Sequence, residues 1–311
     1  MIMGFIDQMR AKGHAVESIC RVLRQEGCQI AARTYRAWRR RSASARDTSD
    51  AVLLNVLHDL VGTPEGLYGR RKMTAWLRRE GHQVGAGRVD RLMRVAGMNG
   101  VRRGRPVRTT VPAKDGCRAG DLLNRDFTAA APNTKWVADF TYVRTWAGFV
   151  YVAFVLDCYS QRILAWHAAT AKTTPLVLTP LRIALWDRDR HGHPVQPGEL
   201  IAHSDAGSQY TSLRFAEHLA AEGIAASIGT VADAYDNALM ECVIGLYKTE
   251  CITTTIFHNG PYKTIADVEY ATAGWVEWYN NRRLHSSLAM TTPVQYETAY
   301  YAALNRELAP T

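Results

Sequence analysis

The 311-residue chain has no long hydrophobic run. Its longest apolar, uncharged stretch, Trp146 to Leu156, is eleven residues, against the ~20 that a membrane-spanning helix needs. Met1–Arg10 carries no basic cluster leading into a long apolar run and a small-residue cleavage site, so no secretory leader is expected. Cysteine is sparse: Cys20, Cys28, Cys117, Cys158, Cys242 and Cys251, with no CxxC pair. That spacing argues against a zinc site and suggests the reduced thiols of a cytoplasmic protein. Nor is the chain poor enough in apolar residues to be disordered: 47% are apolar and 22% charged, ordinary for a globular protein. The length suits two or three domains at ~100–200 residues each.

Charge is present but uneven. Residues 1–125 hold 25 basic and 11 acidic residues; residues 126–311 hold 13 basic and 18 acidic. A basic N-terminal part, net +14, therefore joins a mildly acidic remainder, net −5. Basic excess concentrated in this way points to a polyanion, most often nucleic acid, although an arginine-rich solvated surface has the same composition. The acidic part is compatible with a carboxylate site that holds cations.

Residues 1–45 read as three short helices. Ile2, Phe5, Ile6 and Met9, then Val16, Ile19, Cys20 and Leu23, follow the helical period, and Thr34–Arg41 is a third, basic helix. Ser42–Ser49 is small and polar and reads as a linker. The pattern repeats: Val52, Leu53, Val56, Leu57 and Leu60 mark one helix, Tyr68–Glu80 a second and Gly87–Ala96 a third. In the second, Arg70, Arg71, Lys72, Arg78 and Arg79 are expected outside; in the third, Arg88, Arg91 and Arg94. Helix, glycine-containing break and basic helix is the helix-turn-helix pattern, and Arg70, Arg71, Arg88 and Arg91 are candidate DNA contacts. Three-helix bundles with arginines are also common without any such role.

From Thr134 the texture changes. Lys135–Arg144, Phe149–Leu156 and Arg162–Ala169 read as three consecutive antiparallel strands. Then come a helix at Thr173–Arg190, a strand at Glu199–His203, a helix at Ser212–Glu222, a strand at Ala225–Ile228 and a helix at Asn237–Cys251. That order is the one found in the ribonuclease H-like fold, an α/β mixed sheet, here preceded by all-α helix-turn-helix domains; order alone does not exclude another mixed domain. The expected division is 1–45, a helical helix-turn-helix segment; 46–105, a second such DNA-binding domain; 106–132, a linker; 133–298, the catalytic core; and 299–311, a tail.

Three carboxylates fall at positions that can converge. Asp139 lies within the first strand, Asp205 just past the Glu199–His203 strand, and Glu241 in the helix that follows, with thirty-five residues between the last two. Sites in α/β sheets form at the carboxyl ends of strands. Carboxylates brought together repel and stay ionised only with cations between them. Hard divalent ions, Mg²⁺ or Mn²⁺, suit oxygen ligands, and two of them ~3.5–4 Å apart support in-line phosphoryl transfer. Asn237, Glu241 and Lys248 share a helix face, which puts Asn237 and Lys248 beside a DNA phosphate.

KWVADFTYVRTWAGFVYVAFVLDCYSQRILAW, HSDAGSQY, DNALMECVIGLYKTE and WYNNRRLHSSLAMTTPVQYE resemble the catalytic half of the insertion sequence 3 family of bacterial transposases, OrfB type, and more distantly retroviral integrases. YGRRKMTAWLRREG and GRVDRLMRVAGMNG resemble the family's N-terminal segment. The resemblance implies that Asp139, Asp205 and Glu241 are the catalytic, metal-binding triad, holding two Mg²⁺ or Mn²⁺ ions, with Lys248 the DNA-contacting lysine. It implies cleavage at element ends by metal-activated water, then joining of the 3′-hydroxyl to target DNA without a covalent protein intermediate. It also implies a homo-oligomer on DNA, a possible upstream-frame partner protein with a leucine zipper, no membrane partner, and a cytoplasmic, nucleoid-associated location. Phe140 and Gln161 depart from the family's common residues without touching the triad.

Other residues have plainer readings. Asp236 reads as the cap of the Glu241 helix, Asp157 as a turn residue bonding its own backbone, and Asp233 and Glu250 as surface charges. His203 and His285 are either structural or proton-handling. Arg282 and Arg283 are either surface charges or phosphate contacts. Trp275, Trp278 and Tyr279 read as core. A catalytically inert DNA-binding regulator and a nuclease of RNA–DNA hybrids are the competing functions. The first predicts a broken triad, and the second predicts neither the N-terminal helices nor the NNRRLHSSL segment.

Overall fold

The computed structural model describes residues 2–102, 122–123, 126–205, 209–228 and 237–308. The chain divides into two compact units, Met1–Val56 and Leu57–Thr311. In the first, helices α1 (Ile2–Ala11), α2 (Val16–Gln25) and α3 (Ala32–Arg40) bury Ile6, Ile19, Cys20, Ile30 and Tyr35 together, as the apolar spacing requires.

Helix α4 (Ala45–Asp59) begins inside the segment expected to be a linker. The reason is local: the Asp47 N–H donates to Ser44 Oγ at 3.1 Å and the Ser44 N–H donates to Asp47 Oδ2 at 3.1 Å, a reciprocal cap that starts the helix.

Within the second unit, α5 (Arg70–Arg79) and α6 (Ala86–Val95) form the helix-turn-helix pair. Met73, Leu77, Val89, Leu92 and Met93 face inward. Arg70, Arg71, Arg78 and Arg79 are exposed and Arg88 and Arg91 partly so. Lys72, expected outside, is instead half-buried, 5.7 Å from the centre of the Tyr68 ring. The chain after α6 returns so closely that a Cβ on Gly100 would stand 2.5 Å from Gly69 Cα.

The sheet has the order β3-β2-β1-β4-β5. β1 (Lys135–Thr145), β2 (Gly148–Asp157) and β3 (Ile163–Ala169) run antiparallel, while β4 (Ile201–Ser204) and β5 (Ala225–Ile228) continue from β1 in parallel. This is the expected ribonuclease H-like architecture.

Parity along β1 divides the layers. Trp136, Ala138 and Phe140 join Ala153 and Val155 in a core covered by α7 (Thr174–Arg190) and α8 (Leu213–Ala221). Phe154, opposite Asp139, packs instead on Tyr247 and Trp275. Those two rings belong to the segment of α9 (Ala238–Leu246), the π-helical turn Tyr247–Ile252, and α10 (Ile265–Asn281). Trp275, Trp278 and Tyr279 are core residues, as their spacing predicts.

Two buried ion networks anchor this frame. Asp157 accepts hydrogen bonds from the backbone N–H groups of Ser160 (2.9 Å) and Asn133 (2.8 Å), as a turn residue should. It also lies 3.9 Å from Arg188, which with Arg162 grips Glu297 of α11 (Pro293–Leu308). The second network corrects two readings. Glu250 and Arg283, placed from sequence at the surface or on phosphate, are 5% and 3% exposed and bonded to each other. A guanidinium committed to a buried carboxylate has no face left for DNA.

The helix-turn-helix pair docks on this same region. The Leu284 N–H donates to Tyr68 Oη at 2.9 Å, Trp278 Nε1–H donates to Glu65 Oε1 at 3.0 Å, and Tyr68 stacks on Trp278.

Candidate active site

Asp139 sits mid-strand on the α9 side of the sheet. β1 and β4 pair as Lys135↔Ile201 through Ala138↔Ser204, so the next residues in register are Asp139 and Asp205. Adjacent strands lie ~4.8 Å apart, and residues at one level of a parallel pair share a face. The sheet therefore sets these two carboxylates side by side where β4 ends. The Phe140 N–H donates to Asp139 Oδ1 at 2.7 Å.

Burial, first, and then the neighbouring charge of Asp205 push the Asp139 carboxyl well above the usual carboxylate range. Glu241 adds to this push more weakly, while Lys248 and the Phe140 hydrogen bond oppose it. Asp139 thus feels both of the other acidic side chains, and a cation beside it would relieve the repulsion. Among the described residues, no three His, Cys, Asp or Glu side chains stand together as a ready-made metal cage. Asp139 and Asp205 form the close pair, and Glu241 is exposed in the first turn of α9.

Asn237 is placed differently from expectation. It is 7% exposed, and its Nδ2–H donates to the Ala138 carbonyl at 3.3 Å, pinning the start of α9 to β1 beside Asp139. Its amide ties the helix to the strand, whereas the sequence sets it beside a DNA phosphate. Asp236 and Asp233 lie outside the described residues.

Lys248 is half-buried at the start of the π-helical turn, with Nζ 4.9 Å from the centre of the Tyr142 ring. Burial lowers its pKa, while the charge of Asp139 pulls the other way. A π-turn in a helix that carries a candidate ligand is a frequent mark of a functional segment.

His203 is buried, its Nδ1 2.8 Å from Ser227 Oγ, and His285 is buried, its Nε2 3.2 Å from the Tyr279 carbonyl. Both rings are held by hydrogen bonds inside the fold. Arg282 is half-exposed beside Glu277 and Glu65. Sequence reasoning missed Tyr68, Glu65 and Glu250. No local pattern marks Glu65 or Glu250, whose partners lie 213 and 33 residues away.

Two family models described as "Integrase core domain" match residues 129–234 and 222–293, and one described as "HTH-like domain" matches residues 52–106. The chain is 45% identical over 280 residues to the putative transposase for insertion sequence element IS986/IS6110 of Mycobacterium tuberculosis, covering 90% of this chain and 99% of that one. It is 29% identical over 301 residues to transposase InsF for insertion sequence IS3A of Escherichia coli, covering 94% and 97%. A chain of the simian T-cell lymphotropic virus intasome, solved in complex with PP2A regulatory subunit B56 gamma, aligns at 15% identity over 74% of this chain and 70% of that one. Its TM-score is 0.45, a likeness too remote to carry chemistry. Helix-turn-helix pair, integrase core and near full-length relatives agree: the chain belongs to the insertion sequence 3 family of transposases, DNA-binding enzymes of DNA transposition.

Proposed function

We propose that Asp139, Asp205 and Glu241 are the catalytic carboxylates and that they hold divalent metal, two Mg²⁺ or Mn²⁺ ions, during cleavage at element ends and joining of the 3′-hydroxyl to target DNA. The observation that carries this reading is the in-register pairing of β1 and β4, which sets Asp139 beside Asp205 at the end of a strand. The donor set fits: hard oxygen ligands, crowded enough that burial and neighbouring negative charge raise the Asp139 carboxyl, a strain that a cation would relieve. Glu241, on a helix tied to Ala138 by Asn237, completes the set. When bound, the ions lower the pKa of a water or hydroxyl nucleophile and neutralise charge on the reacting phosphate.

The protein's own residues supply the rest. β1 and β4 fix the direction of two carboxylates, α9 brings the third, and Lys248 meets a phosphate next to the reacting one. Arg70, Arg71, Arg88 and Arg91 on the helix-turn-helix pair contact the DNA backbone or base edges, and Arg282 contributes at the rim. The protein works as a homo-oligomer on DNA at the nucleoid, with an upstream-frame partner aiding recognition of the ends. The segments 1–45, 46–105, 106–132, 133–298 and 299–311 serve as its functional divisions.

The test is strand transfer of a pre-cut end oligonucleotide with Mg²⁺. Wild type is expected to join ends, whereas Asp205→Asn and Glu241→Gln are expected not to, while still binding DNA. Joining by either variant would remove that carboxylate from the role. Turnover of RNA–DNA hybrid instead of joining would favour the nuclease reading, and binding without any turnover by wild type would favour the inert regulator.

A further inference from the structure

The β1–β2 hairpin ends in aromatic rings that, among the described residues, stand open to solvent. Trp146 at its tip is 73% exposed, Phe149 50% and Tyr142 38%. Tyr142 and Phe149 meet edge to face with centroids 5.2 Å apart. The tip is held in place: the Trp146 N–H donates to the Tyr262 carbonyl and the Ala147 N–H to the Lys263 carbonyl, each at 3.0 Å. Single exposed aromatics are ordinary, but a pinned group of three is not explained by packing.

Its cations are the second observation. Residues 126–311 carry net negative charge and contain four lysines, Lys135, Lys172, Lys248 and Lys263. Lys135 is paired with Asp126. The other three each lie over an aromatic ring of this hairpin: Lys172 over Tyr151 at 5.5 Å, Lys248 over Tyr142 at 4.9 Å and Lys263 over Trp146 at 5.5 Å. Rings with interleaved ammonium groups are the combination that binds single-stranded nucleic acid: bases stack on the rings and phosphates meet the cations. A protein partner fits less well, because lysine is depleted where proteins meet.

We propose that Tyr142, Trp146 and Phe149, with Lys248 and Lys263, form a stacking platform for unpaired bases of the DNA that enters the active site. This rests on the proposed site only for its position. Tyr142 lies three residues along β1 from Asp139, on the other face of the strand, and Trp146 stands seven residues on, in the turn just past the end of β1, roughly 10 and 23 Å away at ~3.3 Å per residue. Lys248, over the Tyr142 ring and within reach of the Asp139 charge, links platform and site. A stacked strand at ~3.4 Å per nucleotide covers that span in about three to seven nucleotides. The platform therefore takes bases flanking the reacting phosphate, and it favours ends that are frayed or tailed over intact duplex.

The experiment compares the full-length protein on a blunt duplex and on the same duplex with a short single-stranded tail carrying 2-aminopurine. Binding is measured in EDTA, so that a failure of the metal site does not affect the result; the strand-transfer assay above judges that site separately. Trp146→Ala is expected to weaken binding to the tailed DNA by about tenfold and to relieve 2-aminopurine quenching, with blunt-duplex binding nearly unchanged. Trp146→Phe restores most of the loss, and Phe149→Ala gives a smaller loss of the same kind. Equal weakening on both DNAs, no weakening on either, or unchanged DNA binding with an altered oligomeric state would overturn the proposal. The last outcome would assign the hairpin to a protein interface.

Discussion

Replacing Glu250 with alanine strips Arg283 of its bonded carboxylate, leaving a guanidinium 3% exposed in the wall between the helix-turn-helix pair and the core. Arg283 Nε–H donates to Glu250 Oε2 at 2.9 Å and Nη2–H donates to Oε1 at 2.5 Å, while Trp275 Nε1–H reaches Oε2 at 3.4 Å. Breaking a buried pair from one side leaves the other charge uncompensated and costs ~3–5 kcal/mol. The Trp275 contact is long and adds little. A loss of about 4 kcal/mol is a large part of the ~5–15 kcal/mol that holds a typical domain and shows plainly in urea unfolding followed by tryptophan fluorescence. Arg283→Met is expected to cost a similar amount. The double variant Glu250→Met with Arg283→Met removes both charges and restores apolar volume, so it should recover most of the loss, a strongly non-additive cycle. Single variants that cost less than about 1 kcal/mol, or a double variant as unstable as the two losses summed, would refute the claim that these groups are desolvated and mutually dependent.

Burial, then Arg283, push the Lys72 ammonium down to about 7 against the pull of Glu250. The folded pKa lies below the unfolded one, so stability rises with pH between them and is lost as pH falls through about 7. Lys72→Met should therefore be more stable than wild type near pH 6, by ~2 kcal/mol once solvent screening is allowed for. The gain should vanish above the unfolded lysine pKa; equal curves for both proteins would contradict it. Glu297 runs the other way: burial raises its carboxyl, but Arg188 and Arg162 hold it below the ordinary range. Its contribution is present above the unfolded carboxylate pKa and fades as pH falls through the folded one, so Glu297→Gln should flatten the acid limb of a stability–pH curve. Gly100→Ala puts a methyl against the Gly69 backbone and should destabilise by ~1–3 kcal/mol, read as a lowered Tm. Lys248→Ala should weaken DNA binding and reduce its salt slope by about one charge, and an unchanged slope would count against a phosphate contact.

Much of this molecule is legible in one dimension because its signals are local. Apolar residues at helical spacing marked α1, α2, α5 and α6, the basic run Thr34–Arg41 marked α3, and β-branched and aromatic runs marked the three antiparallel strands. Alternation along β1 separates Asp139 from Phe140, one toward α9 and the other into the α7 layer. The position of Asp205 after an apolar strand is likewise written in the order of residues. The start of α4 was also local, in the Ser44–Asp47 cap, but the small polar composition around it pointed to a linker.

The tertiary structure alone decided the fate of charges. Glu250, Arg283 and Asn237 look like a surface set in sequence, and each is buried against a partner 33 or more residues away; Lys72 is half-buried among charges that include Arg283 and Glu250. Periodicity says which side of an element is apolar; it carries no information about which charged side chain another element will cover, since that depends on contacts closed only when the chain has folded. The sequence alone placed the carboxylates and the family. The register of β1 with β4, and the docking of the helix-turn-helix pair on Trp278, decided which of the neighbouring charges stay open to solvent and which hold the protein together.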